Sequence, residues 1–389
     1  MKKQLLAAVL TGAMVMSVTA CGTSGTATTA AKAAAATAAA TTKAATSAAA
    51  ATTASATTKA AASAASTAKA AATTAAGAAN TTYKEATVRV AYMPNLGSAS
   101  SVFTAIEQGY FKEVGLTVTP YQFQGGPAEI AAMGSGDIDI SQIGHGAHKL
   151  CIQGQALVFE MDQNSLADAV VANKSKGINT VTDLKGKTVA VQSGTSSEII
   201  LKLALEKNSM KMEDIKTVEM DANGMVTAMV SGQIDACATW SPSTVSISKG
   251  LGKNYLVLAQ NSDFLDKAAF PSSFITTKKY ADANKDVLIR FTAAIEKAKV
   301  YRASHIDDVA KMLSKKLDVP EDTMLAATGE GDWKGAVDHL GDFASIKTYY
   351  AAQQKVFLNA GAITAEVPIE NYVDFDIMKA GNELYGKNK

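Results

Sequence analysis

The sequence predicts an α/β protein built as two similar lobes, joined by a hinge that the chain crosses twice. Three observations carry that expectation. From residue 87 onward, short apolar runs alternate with amphipathic stretches, the pattern of strands and helices packed on a sheet. The segment Ala132-Met133-Gly134-Ser135-Gly136-Asp137-Ile138-Asp139 recurs as Ala228-Met229-Val230-Ser231-Gly232-Gln233-Ile234-Asp235, six identities in eight positions at an offset of 96. Two irregular segments, near 175–180 and 259–273, bracket about 85 residues and read as the two crossings.

Residues 87–92 form the first expected strand, and 95–98 a loop ahead of a helix over 101–111. Residues 116–123 make the next strand, 127–133 a helix and 138–143 a third strand. In both copies of the repeat a glycine follows the helical run and a short apolar strand comes next, the chemistry of a helix stop. A period this long, present twice, points to two equivalent half-structures rather than a solenoid. Beyond the first break, 182–187 leads into a strand at 188–191 and a helix ending near Leu205. A lysine-rich helix is expected over 280–302, and 349–357 reads as a core-facing helix of a tail packed on the first lobe. The expected division is 83–175 for the first lobe, 176–270 for the second, and 271–389 for the rest of the first lobe with C-terminal helices.

Ahead of the lobes, residues 1–20 read as an export signal: Lys2 and Lys3 precede a mostly apolar stretch over 5–18, too short and interrupted to span a membrane. Val18-Thr19-Ala20-Cys21 looks like the lipobox of bacterial lipoproteins, which implies a lipid on Cys21 and an anchor at the outer face of the cytoplasmic membrane. Residues 21–82 then form an Ala/Thr-rich tether of low complexity. As a flexible chain it would span about 45 Å, enough to give an anchored domain reach.

Composition narrows the function. The 389 residues carry a net charge of +1, but residues 1–82 hold six lysines and no acid, so the remainder has 31 basic against 36 acidic side chains, a net of −5. A mildly acidic body argues against nucleic-acid binding, and three cysteines exclude a disulfide-rich scaffold. No nucleophile elbow, HExxH or Cys-x-x-Cys is present, so an enzyme is not expected. Cys151 and Cys237 are expected to be buried free thiols.

Ligands of open α/β sheets bind beyond the carboxyl ends of strands, so the loops there are the candidate site. Four such loops are small and polar ahead of a helix: Asn95, Gly97 and Ser98 in the first, His145 and Gly146 in the second, Ser193, Gly194, Thr195 and Ser196 in the third, and Trp240 in the fourth. The third combines a flexible turn with several hydroxyl caps, so its free N–H groups and the helix dipole favour an anion. It lacks the lysine of a nucleotide-binding P-loop. Trp240 is suited to an apolar wall or to stacking on a flat or cationic group. His145 and His148 have no acidic or cysteine partner at metal-ligand spacing, so no metal and no cofactor are expected. The three arginines, Arg89, Arg290 and Arg302, fall outside the four loops, which weighs against an arginine clamp.

The body resembles a known family. Gln108-Gly109-Tyr110-Phe111-Lys112-Glu113-Val114-Gly115-Leu116-Thr117-Val118, Gly134-Ser135-Gly136-Asp137-Ile138-Asp139-Ile140, Asp183-Leu184-Lys185-Gly186-Lys187-Thr188-Val189-Ala190-Val191 and Ser193-Gly194-Thr195 look like the ABC-transporter substrate-binding proteins of the nitrate/sulfonate/taurine group, relatives also of thiamine-precursor binders. The resemblance runs over most of 87–302 and implies a type II periplasmic-binding-protein fold. It further implies a monomer that closes on a small organic solute and delivers it to a membrane permease with a cytoplasmic ATPase. The alternatives are a sensory or adhesive receptor on the same fold, or an enzyme like the pyrimidine-synthesising relatives, which carry a cysteine-rich motif that this chain lacks. Glu198 departs from the sulfonate-binder pattern, where a histidine commonly follows the Gly-Ser turn, and this opens the way to a cationic, zwitterionic or pyrimidine-like ligand.

Overall fold

In a computed structural model, residues 83–387 are described. The expected export signal, lipobox cysteine and tether lie outside them. Ten strands form two five-stranded sheets. The first sheet has β1 (Ala86–Tyr92), β2 (Leu116–Gln122), β3 (Ile140–Ile143) and β4 (Leu157–Asn164); the second has β5 (Asp168–Asn173), β6 (Thr188–Val191), β7 (Lys216–Glu219), β8 (Ala236–Trp240) and β9 (Tyr255–Gln260); β10 (Pro271–Thr276) returns to the first. Their orders, β2-β1-β3-β10-β4 and β7-β6-β8-β5-β9, are equivalent position by position. In each, the first three strands are parallel and the fourth runs antiparallel to the third. That fourth strand is the one each lobe receives from across the hinge.

The sequence repeat has a physical basis. In the first copy Gly136 has φ 84°, Gly136 N–H donates to Met133 O and Asp137 N–H to Ala132 O; in the second Gly232 has φ 73°, with Gly232 N–H to Met229 O and Gln233 N–H to Ala228 O. Both are left-handed helix stops that return the last N–H groups to the final turn. The repeat's closing aspartates then tie the following strand to its neighbour: Arg89 N–H donates to Asp139 Oδ2 at 2.8 Å, and Thr188 N–H to Asp235 Oδ2 at 2.9 Å.

The first crossing lies earlier than the sequence suggests. β5 was expected within the first lobe, which the sequence carries to residue 175, yet it pairs with β8 and β9, so the chain changes lobes over 165–167. Its apolar run Ala169-Val170-Val171-Ala172 suits either sheet, and only the distant partner β8 decides. The return crossing covers 261–270. Buried asparagines brace the pair: Asn164 Oδ1 accepts from Phe270 N–H at 2.7 Å, and Asn261 Oδ1 from Asp168 N–H at 2.6 Å.

Two helical expectations also change. The 280–302 helix is two helices, Lys278–Ala283 and Lys285–Ser304, parted at Asn284. The helix Phe343–Asn359 does not pack on the first lobe alone: Ile346 and Tyr350 join that lobe's core, while Val356 and Phe357 enter the core of the second. It therefore forms a third link between the lobes. Among the described residues, no helix is long and apolar enough to cross a membrane.

Candidate ligand-binding site

The strand ends of the two sheets face each other across a cavity lined by both lobes. It is walled from the first lobe by Asn95, Gly97, Ser98 and His145 and from the second by Thr195, Ser196 and Trp240, so seven of the ten residues expected at a ligand line it. Gly146, Ser193 and Gly194 do not.

The loop expected at 95–98 is mostly helix. Asn95 Oδ1 accepts the Ser98 N–H at 2.8 Å, which starts the helix Leu96–Glu107 five residues before the expected position. Ser98 Oγ in turn accepts from Met93 N–H at 2.9 Å, fixing the strand end against the helix end. Gly97 is a packing position as well, since a Cβ there would come within 2.9 Å of Gln163 Nε2.

His145 sits at the end of β3, 1% exposed, with Nε2 3.0 Å from Asp168 Oδ2, and Asp168 is 2% exposed at the start of β5. This pair joins the first lobe to the strand that leaves the hinge. The His145 ring packs on Phe270 in the other crossing, and its carbonyl accepts from Gln353 Nε2 at 3.1 Å on the helix that links the lobes. His148 does not reach the cavity: Ser273 Oγ and the His145 carbonyl hold its ring, and burial lowers its pKa to about 3.

In the second lobe Thr195 caps the helix Ser196–Lys207, its Oγ1 accepting from Ser197 N–H at 3.3 Å. The free N–H groups expected just ahead of it are already used. Ser193 N–H donates to Glu219 at 2.9 and 3.2 Å, and Gly194 N–H donates to Glu198 Oε2 at 2.7 Å. Glu198 thus occupies the anion position at its own helix start. It also meets Lys202 at 2.7 Å and, across the cleft, Lys149 at 3.5 Å. Burial pushes its carboxyl upward, but the Lys202 and Gly194 hydrogen bonds and the lysine charges bring the net shift below the usual value. The departure noted at this position is a carboxylate spent within the protein, outside the cavity wall.

Gly146 is a point of close contact between the lobes. A Cβ on it would lie 2.1 Å from Thr195 C, 2.2 Å from Thr195 O and 2.3 Å from Ser196 N. Close by, Gln192 Nε2 donates to Gln124 O at 3.2 Å. These are contacts of one lobe's loops on the other's.

Trp240, 8% exposed, packs with Met93 and Ala222 and forms an apolar wall between the lobes. Among the further lining residues that escaped the sequence are Asp168, Gln142 and Gln163. Behind Gln142, whose Nε2 donates to Asp162 Oδ2 at 3.0 Å, Asp162 pairs with Arg302 at 3.0 Å and both are fully buried. The guanidinium next to the cavity floor is therefore already matched. An acid opening the apolar run Asp168-Ala169-Val170-Val171 was the available signal for Asp168.

The family profile described as NMT1/THI5 like matches residues 98–307. A binding protein of Brucella abortus is 30% identical over 297 residues, covering 75% of this chain and 92% of its own length. A protein of Bacillus subtilis named as aliphatic sulfonates-binding is 26% identical over 232 residues, 57% of this chain and 68% of its own. Among solved structures, the periplasmic nitrate-binding protein of Synechocystis shares the fold with a TM-score of 0.64 at 12% identity, over 77% of this chain and 89% of that one.

Proposed function

Because the chain belongs to the NMT1/THI5-like family, we propose that it is the solute-binding component of an ABC importer, capturing a small organic solute between its lobes and presenting it to a permease. The carrying observation is the cavity itself: both lobes line it, and their strand-end loops meet across it. A ligand there touches both lobes only when they are together, so binding favours the closed arrangement. The named relatives for sulfonates and nitrate support the transport role. Asn95, Gly97, Ser98, His145, Thr195, Ser196 and Trp240 are the residues we assign to the ligand, with Gly146, Ser193 and Gly194 shaping the loops behind them.

The Val18-Thr19-Ala20-Cys21 motif supports lipid attachment at Cys21 on the outer face of the cytoplasmic membrane. An enzymatic role finds less support: Cys151 and Cys237 are buried, free and outside the cavity, with burial pushing the Cys151 thiol up to about 12. Thermal-shift screening of the protein against sulfonates, nitrate, polyamines, pyrimidines and amino acids tests the binding role. A rise in Tm with one class is expected, and no rise with any class would contradict it. Labelling with radioactive palmitate should be lost in Cys21→Ala if the anchor is correct.

A further inference from the structure

Resting on the solute-binding role, we propose that this cavity selects a solute that offers amine or amidine N–H groups to Asp168, and discriminates against oxoanions that carry no such group. The charge on the cavity wall leads to this. Among the described residues lining it, Asp168 and His145 are the ionisable ones, and no lysine or arginine contributes. With His145 neutral the pair carries −1; with His145 protonated it carries zero. In neither state is the wall positive.

A buried oxoanion needs compensation, because removing a full charge from water costs several kcal/mol unless a partner or a set of donors replaces the solvent. Four of the backbone donors that the sequence offers for this purpose are taken. Ser193 and Gly194 N–H are bound by Glu219 and Glu198, Ser98 N–H by Asn95, and Ser197 N–H by Thr195. Lys149 is turned to Glu198, and Arg302 to Asp162.

The wall instead has acceptors to spare. His145 engages Asp168 through Oδ2, which leaves Oδ1 for a donor. Gln142, 1% exposed, commits its amide nitrogen to Asp162 and to Gly97 O, and its Oε1 stays without a partner. Those two acceptors on the nitrogen side fix the orientation of the amide. A charge-assisted N–H···carboxylate bond is about twice as strong as a neutral one, and Trp240 gives a cationic or flat group a face to lie against.

Calorimetric titration of the full mature chain and of Asp168→Asn, with benzamidine, agmatine and ethanolamine as nitrogenous probes and methanesulfonate, isethionate and nitrate as anions, tests the assignment. Wild type should bind at least one nitrogenous probe more tightly than any anion, and Asp168→Asn should weaken that probe at least tenfold without weakening methanesulfonate. Tighter binding of any of the three anions than of every nitrogenous probe overturns the inference and leaves the solute-binding role intact. That ranking is read on wild type alone, so it stands even if the variant fails to fold. A folded Asp168→Asn with unchanged affinity for the nitrogenous probe also overturns it. Binding of neither class removes both this inference and the solute-binding role.

Discussion

Gly146 and Thr195 belong to different lobes, yet a side chain on the glycine would stand 2.1 Å from the threonine carbonyl carbon. The backbone of Gly146 has no positive φ, so it does not itself require glycine. The requirement comes from the opposite lobe. Backbone atoms on the far side cannot swing away as a flexible side chain could, so even one methyl group holds the lobes apart.

Gly146→Ala should therefore weaken ligand binding at least tenfold while leaving the unliganded Tm within a few degrees of wild type. Calorimetry for affinity and differential scanning for stability check this together. A large loss of Tm would mean that the glycine matters within its own lobe.

Glu198 holds the Gly194 turn, Lys202 and the opposing Lys149 at once. Glu198→Gln should cost about 1 kcal/mol of stability, the scale of a charge-assisted hydrogen bond offset by solvation, and speed ligand release severalfold. Its pKa is depressed in the folded protein, so the carboxylate's contribution is present above the unfolded carboxyl pKa and is lost as pH falls through the lower folded value. The difference in stability between wild type and variant should shrink on acidification.

Glu129 gives the opposite sign. It is fully buried beside Ser141, whose Oγ donates at 2.6 Å, and burial raises its pKa to about 8. The folded protein holds a proton that the unfolded chain releases above about pH 4.5, so this residue lowers stability progressively as pH rises from there through about 8. Glu129→Gln should remove that slope and stabilise the protein at pH 8 relative to wild type. Urea titrations from pH 5 to 9 measure it.

Phe357 places the lobe-linking helix in the core of the second lobe, while Tyr350, two turns earlier, sits in the core of the first. Phe357→Ala should cost about 3–5 kcal/mol, the usual loss for a fully buried phenylalanine. It should also broaden the range of lobe arrangements seen by small-angle scattering. An unchanged unfolding midpoint would place the helix outside the core.

The sequence exposed the architecture because its signals were local. The repeat at 132–139 and 228–235 encodes a helix stop and an aspartate that ties two strands, so its recurrence marks equivalent positions in equivalent sheets. Seven of the ten residues named for the ligand reach the cavity for the same reason: strand ends and helix starts converge there. What the sequence hid depends on partners far along the chain. β5 could join either sheet until β8 claimed it, and with it went Asp168. Ser193 and Gly194 look like free anion donors until Glu219 and Glu198, 26 and 4 residues away, take their N–H groups. The helix Phe343–Asn359 reads as one core-facing stretch, and only the three-dimensional arrangement divides its face between two cores.

Closure on a solute is the central claim, and the distance between the lobes tests it most directly. Spin labels at Lys211→Cys in the second lobe and Lys279→Cys in the first, both exposed positions, can be placed on a chain with Cys21→Ser, since Cys151 and Cys237 are buried. Pulsed electron–electron resonance should show the distance distribution shift to a single narrower population when the solute that raises Tm is added to saturation. An unchanged distribution at saturation would contradict the account.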